Sequence, residues 1–306
     1  MMKRMISLHL LLGLSILATG NAAAQTEALQ EYSLPGMNVT ALGYEKSNLE
    51  TPADVTVYSG EELKKTGAND VANALKYTAG VYFTQMGPHD QSFITGNSTL
   101  SLRGIKGGTL VLINGVPASF NNVSHLDMLN LEAVEKVEVV KGGGAVLYGS
   151  EAYGGVINVI TKNEYKNSLH IAAGNKGQRD YSATISAGKL GITLGRNEMG
   201  ETGILTQKQG TKTINGVRVP YYTGFGDSKK DHLGVSYKFD DKLSLNYIFN
   251  NKKYTIDYLG ADNSKLQHFD YDDREHFAQL HFNDQNGFDA TAYYNERIIR
   301  NPDYYI

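Results

Sequence analysis

The sequence predicts an α+β domain followed by the antiparallel strands of a transmembrane β-barrel, of which about seven strands are present. Three observations carry this. The N-terminus reads as an export signal. Residues 50–162 mix short helices with short strands. After Lys162 the chain turns to period-two alternation, and its connections alternate between short and long.

Residues 1–24 have the parts of a cleaved signal. Lys3 and Arg4 form a charged start, Met5 to Leu17 is mostly apolar, and Ala22-Ala23-Ala24 offers the small residues of a cleavage site before Gln25. A spanning helix needs about 20 apolar residues, and this run is shorter and meets Gly20-Asn21. No other apolar run is long enough, so any return to a membrane must be made by strands. Composition narrows the classes further. Formal charge is −3, and residues 25–306 hold 27 basic against 32 acidic side chains, which gives no broad basic surface for nucleic acid. The absence of cysteine excludes disulfides, thiolate metal sites and cysteine nucleophiles. Tyr is abundant, at 20 against 10 Phe and no Trp. Its apolar ring and polar tip suit a water–lipid interface, and equally a soluble β protein.

Residues 25–49 form a polar, extended leader. Within it Met37-Asn38-Val39-Thr40-Ala41 is β-prone, with no partner nearby. Ala53 to Tyr58 is a strand candidate. Ser59-Gly60-Glu61-Glu62 fits a capping box that opens a short helix ending at Gly67. Asn69 to Tyr77 places Val71, Ala74, Leu75 and Thr78 on one face of a second. Leu110 to Ile113 is an apolar strand stopped by Asn114-Gly115. Val134 to Lys141 and Val156 to Thr161 are two more.

Several catalytic readings fail on spacing. The glycines at 142–144, 149, 154 and 155 make neither a phosphate loop nor a dinucleotide fingerprint. Ser150 follows Tyr148 where a nucleophile elbow needs Gly. His276 and His281 miss the spacing of a zinc helix, and Arg274 interrupts a calcium loop at Asp270, Asp272 and Asp273. No catalytic residue, cofactor or metal site is therefore expected. The glycines read as structural.

Five linked motifs carry a resemblance. They are Leu102-Arg103-Gly104, Val111 to Pro117, Val137 to Gly142, Leu147 to Ser150 and Gly154 to Lys162. In this order they resemble the plug of TonB-dependent outer-membrane receptors. The match runs from about Val39 to Lys162. One departure is Lys141-Gly142-Gly143, where the family usually has Arg-Gly-Pro. Lysine keeps the charge and loses the fork of donors.

The strands beyond Lys162 are expected near 168–174, 180–188, 190–197, 231–239, 242–252, 274–282 and 287–297. Leu243, Leu245, Tyr247 and Phe249 alternate with Ser244, Asn246, Ile248 and Asn250. One apolar face fits a barrel wall around a wet lumen, and equally a sheet with one buried face. The links favour the barrel. Short ones fall at Lys189, Asp240-Asp241 and Asn283 to Asn286; the long ones run over about 198–230 and 253–273. Seven strands do not close a barrel of the plugged type, which has about 22, so a truncated gene or fragment is expected.

The resemblance implies active uptake of a scarce, bulky ligand across the bacterial outer membrane, with TonB as partner and no covalent chemistry. A ferric siderophore is the commonest cargo; cobalamin or haem is the alternative. A soluble plug-only binding module and an exported hydrolase are rivals from other classes. Met37, Asn38, Val39, Thr40 and Ala41 are the candidate TonB box, because an extended unpaired segment can add to a partner's sheet edge. Arg103 is expected to pair with barrel acids, or with Glu138 or Glu151. Gln85, His89, Gln91 and Phe93, and Phe120, Asn121 and Asn122, lie on polar stretches that follow apolar strands. They are the expected ligand face, at the plug apices.

Overall fold

A computed structural model describes residues 38–39, 46–47, 54–84, 99–118, 126–142, 152–205 and 208–301. All belong to one compact unit, Gly36–Ile306. The signal segment lies outside the described residues. In the leader, β1 (Asn38–Val39) pairs antiparallel with β2 (Lys46–Ser47). The candidate TonB box thus has a partner within the chain at these two positions, contrary to expectation; Met37, Thr40 and Ala41 are not described.

The α+β domain forms as its local signals dictate. β3 (Asp54–Ser59) runs directly into α1 (Gly60–Lys64). The Ser59 hydroxyl accepts from the Glu62 N–H at 3.2 Å, and the Glu62 carboxylate accepts from the Ser59 N–H at 2.8 Å, completing the capping box. Asp70 caps α2 (Val71–Leu75) by accepting from the Asn73 N–H at 2.9 Å. β4 (Val81–Thr84), β5 (Thr99–Leu102) and β6 (Ile105–Lys106) form a small antiparallel sheet. β7 (Thr109–Ile113) turns through Asn114-Gly115 into β8 (Val116–Pro117). Both turn residues have positive φ, +48° and +79°, the conformation that Asn-Gly adopts most readily. β9 (Val134–Lys141) and β10 (Gly155–Thr161) complete a five-stranded sheet in the order β3-β9-β10-β7-β8, with β7 and β10 parallel.

Period-two alternation divides this sheet. Val111, Ile113, Val137, Val139, Ile157 and Val159 face a core shared with Leu63, Leu75, Leu126 and Leu129. Leu110, Leu112, Val140 and Val156 face a smaller cluster on the other side. Gly155 shows why the motif needs glycine. Its φ is +134°, and a Cβ there would stand 2.3 Å from the Val140 carbonyl oxygen.

The remaining strands form one antiparallel sheet. They are β11 (Ser168–Ala173), β12 (Arg179–Ala187), β13 (Leu190–Met199), β14 (Gly210–Ile214), β15 (Val217–Lys238), β16 (Leu243–Leu259), β17 (Lys265–Asn283) and β18 (Asp289–Arg300). The order is β11-β12-β13-β15-β16-β17-β18, with β14 on β15. The expected strands are all present, and the short links fall at 188–189, 239–242 and 284–288. The long links differ. β15 has 22 residues and β16 and β17 have 17 and 19, so strand fills most of what was expected to be loop. Between β16 and β17 only 260–264 remain. At about 3.3 Å per residue β15 extends roughly 70 Å, whereas a membrane crossing takes about 9–11 residues.

The wall is apolar outside and polar inside. Asn246, Asn250 and Lys252 of β16, Ser228, Lys230, His232 and Ser236 of β15, and Asp273, Glu275 and Gln279 of β17 are all buried. The apolar row of β16, Leu243, Leu245, Tyr247 and Phe249, is less covered than its polar row. Leu169, Ile171, Ile185 and Leu194 are exposed outright. A water-soluble sheet buries its apolar face; this one turns it outward, as a barrel wall in lipid does. Among the described residues no helix is long and apolar enough to cross a membrane.

Candidate functional site

The polar face of the wall meets the α+β domain, and charges of opposite sign meet there. Lys230 donates to the Asp70 carboxylate at 2.8 Å and to the Asp127 carbonyl at 2.8 Å, with both side chains buried. Asp70 is placed by its role as the α2 cap. Burial pushes its carboxyl up, but Lys230 and the Asn73 donors outweigh this and hold it below the usual range. One strand further, Lys252 reaches Asp127 at 2.6 Å, Glu275 at 3.0 Å and Asp273 at 3.7 Å. Arg297 of β18 closes the group, at 2.6 Å from Asp273 and 3.3 Å from Glu275. Three carboxylates thus face two cations inside the interface. Such a group is held by mutual pairing; loss of one member strands the others.

Below these pairs, toward the short-turn end, contact is through hydrogen bonds and packing. The Asn114 amide donates to Gln279 at 3.0 Å and Gln279 donates back to the Asn114 carbonyl at 3.3 Å. Asn114 is itself fixed by Thr161, whose N–H donates to its side-chain oxygen at 2.8 Å. Ile248 and Phe277 join the core that lies between the five-stranded sheet and its helices.

Opposite the short turns, the strand extensions carry aromatic rings on the inward row. Tyr254 stacks on Tyr271 with centroids 5.0 Å apart. Beyond them Tyr258 packs against Tyr221 at 4.9 Å and Phe269 at 5.1 Å. The Lys212 ammonium stands 4.3 Å from the Tyr258 ring centroid and 5.6 Å from that of Tyr221, and it also donates to Gln267. Burial lowers the Lys212 pKa. The arrangement offers ring faces and a cation side by side, a surface for planar anionic groups.

The residues singled out in the sequence are distributed differently from expectation. Arg103 pairs with Asp54 of β3, and both side chains are about half exposed. It does not meet Glu138, which is fully buried and bridged to Lys136 at 2.9 Å, with Asn158 donating to it at 3.3 Å. The reason is local. Arg103 has φ +51° at a tight turn after β5 and meets Asp54 at the start of the edge strand β3, while Glu138 lies mid-strand in β9, in register with Val57 and Asn158. Glu151, Gln85, His89, Gln91, Phe93, Phe120, Asn121 and Asn122 lie outside the described residues. The interface charges Asp70, Asp127, Lys230, Lys252, Asp273, Glu275 and Arg297 were missed. For the wall members the signal was a charge at inward parity, Lys252 in line with Asn246 and Asn250 and Lys230 with His232 and Ser236; Asp70 and Asp127 carried no such signal.

A small α+β domain seated by buried ion pairs against the polar face of an outward-apolar β wall defines a plugged-barrel receptor. The family comparison agrees: residues 47–156 match the TonB-dependent receptor plug domain, so the chain carries the plug of that family. It is 29% identical over 247 residues to a vitamin B12 transporter of Vibrio cholerae, covering 74% of this chain and 38% of that protein. It is 32% identical over 214 residues to a hemin receptor of Yersinia enterocolitica, covering 68% and 29%. Its fold is similar to that of the ferripyoverdine receptor of the Pseudomonas aeruginosa outer membrane, with TM-score 0.55 and 15% identity over 85% of this chain and 36% of that one. The chain spans well under half the length of each of these relatives.

Proposed function

We propose that this chain supplies the plug and first wall strands of a bacterial outer-membrane receptor that imports a scarce, bulky ligand, with energy from TonB. The observation that carries this is the inverted wall with a charged plug seated on its polar face. The domains are read as signal peptide 1–24, leader 25–49, plug 50–162 and barrel strands 163–306. The ligand is read as a ferric siderophore. The Lys212–Tyr221–Tyr258 surface suits anionic aromatic groups, and Gln85, His89, Gln91, Phe93, Phe120, Asn121 and Asn122 are proposed as the plug's share of the site. Cobalamin is the second reading, favoured by the relative whose match covers 74% of the chain.

Energy coupling is assigned to Met37–Ala41. Among the described residues β1 pairs with β2 along one edge, and strand addition would use the other. Val39→Pro removes an N–H and restricts φ. In cells that make the full-length receptor, uptake of radiolabelled cyanocobalamin, haemin and a panel of ferric siderophores is measured with and without TonB. One of these is expected to enter only when TonB is present. Val39→Pro is expected to abolish that entry and leave cell-surface binding intact. TonB-independent entry, or normal uptake by the variant, overturns the coupling assignment.

A further inference from the structure

The plug is seated unevenly, and the uneven side has the character of a passage. Against β16 and β17 it is locked by Lys252, the Asn114–Gln279 bonds and the apolar contacts of Ile248 and Phe277. Against β12, β13 and the upper part of β15 the packing is open. A cavity of about 350 Å³ lies between the α1–α2 turn and the wall, bordered by Asn69, Asp70, Asp180, Asn197 and Lys230. A second, of about 110 Å³, shares Asn69, Asp180 and Asn197 and reaches Asn130, Glu132 and Ser182.

The wall residues continue this line. Down the inward row, cross-strand partners are Asp180 with Asn197, Ser182 with Gly195, and Thr184 with Thr193. Each is polar or small. Thr184 is 3% exposed and Thr193 1%, yet neither hydroxyl has a hydrogen-bond partner among the described residues. Buried hydroxyls are seldom left unpaired, and these two extend the polar inward row below the cavities. The plug bank is polar as well: Asn130 stands 3.1 Å from where a Gly195 Cβ would lie, and Glu132 holds Lys64 at 2.8 Å. At the foot the ring of Tyr165 lies against Gly191.

From these observations we infer that the β12–β13 seam is the route by which a polar solute passes the plug, with the Asp70–Lys230 pair as its upper closure. The hydrogen-bonding banks offer a solute both donors and acceptors. The charged and apolar seat on β16 and β17 keeps the plug anchored while the seam opens. This rests on the transport reading for its solute, but the seam itself can be tested separately.

These 306 residues hold no cysteine, so single thiols report cleanly once any cysteine in the rest of the receptor is replaced. Thr193→Cys and Thr184→Cys are placed in the seam and Ile248→Cys in the seat, in outer-membrane vesicles bearing the full-length receptor. A small cationic methanethiosulfonate is the probe. The seam thiols are expected to react at least about 100-fold faster than the seat thiol, which is reached only by local opening. Asp70→Asn or Lys230→Met is expected to speed Thr193→Cys by about tenfold, and Lys229→Arg, on the outer row of β15, to leave it unchanged. Equal rates in seam and seat overturn the inference, as does insensitivity to both latch variants. In cells, the probe is expected to stop uptake by Thr193→Cys and spare the cysteine-free protein. If the cysteine-free receptor imports none of the panel, the transport reading fails and the labelling rates still judge the seam. If it imports and labelled Thr193→Cys imports equally, the seam is not the route.

Discussion

Asp70 caps α2 and also bonds to the wall through Lys230. Its depressed pKa sets the sign of a pH effect. A carboxylate held below its unfolded value stabilises the fold above that value, about 3.9, and loses the contribution as pH falls through the folded value. Asp70→Asn leaves Lys230 buried without its counter-charge, so a loss of about 3–5 kcal/mol is expected at pH 7. The difference from the native protein should shrink as pH falls below about 3.9, read by thermal unfolding across a pH series. Asp70 could not be chosen from the sequence as an interface residue, and Lys230 only by extending the parity of His232 and Ser236 back past the expected start of its strand. Asp70 reads as a helix cap and Lys230 as part of a loop, and only the folded wall brings them together over 160 positions.

Elements whose signals are local were legible, and those whose signals depend on the surroundings were not. The Ser59 capping box, the Asn114-Gly115 turn and β9 are each determined by a few adjacent residues, and the structure has them where the sequence placed them. Ser59→Ala should destabilise by about 0.5–2 kcal/mol, the usual range for a lost cap, checked by equilibrium unfolding. The lengths of β15, β16 and β17 were not legible. Their upper ends carry Lys229, Lys253 and Asp272 on the outer row, so the apolar–polar alternation fades although the backbone pairing continues. Pairing needs only a neighbouring strand; alternation needs lipid or a core on one side. The site suffered the same loss, because Lys230 lay just before the expected start of one strand and Lys252 at the expected end of another.

At the scale of the molecule, the wall's polarity is the most consequential property. An apolar face directed outward is stable only in contact with lipid. Leu194 is 46% exposed on that face, and Leu194→Arg should cost about 2–4 kcal/mol if it lies near the bilayer midplane. Unfolding in liposomes with urea measures it. The matching substitution of an already charged outer position, Lys229→Arg, should change nothing measurable.

That polarity also sets an order of assembly. The plug's core condenses from segments that are apolar in the ordinary sense, and it can collapse in water. The wall cannot: its greasy row has nowhere to hide until a bilayer receives it, and its inner charges stay incompletely matched until the plug brings Asp70 and Asp127. A chain that has crossed into an aqueous compartment thus holds a domain ready to fold beside strands that must wait. Whatever escorts those strands must shield alternate side chains along an extended backbone. The escort is released where lipid takes over one face and the plug's carboxylates take over the other.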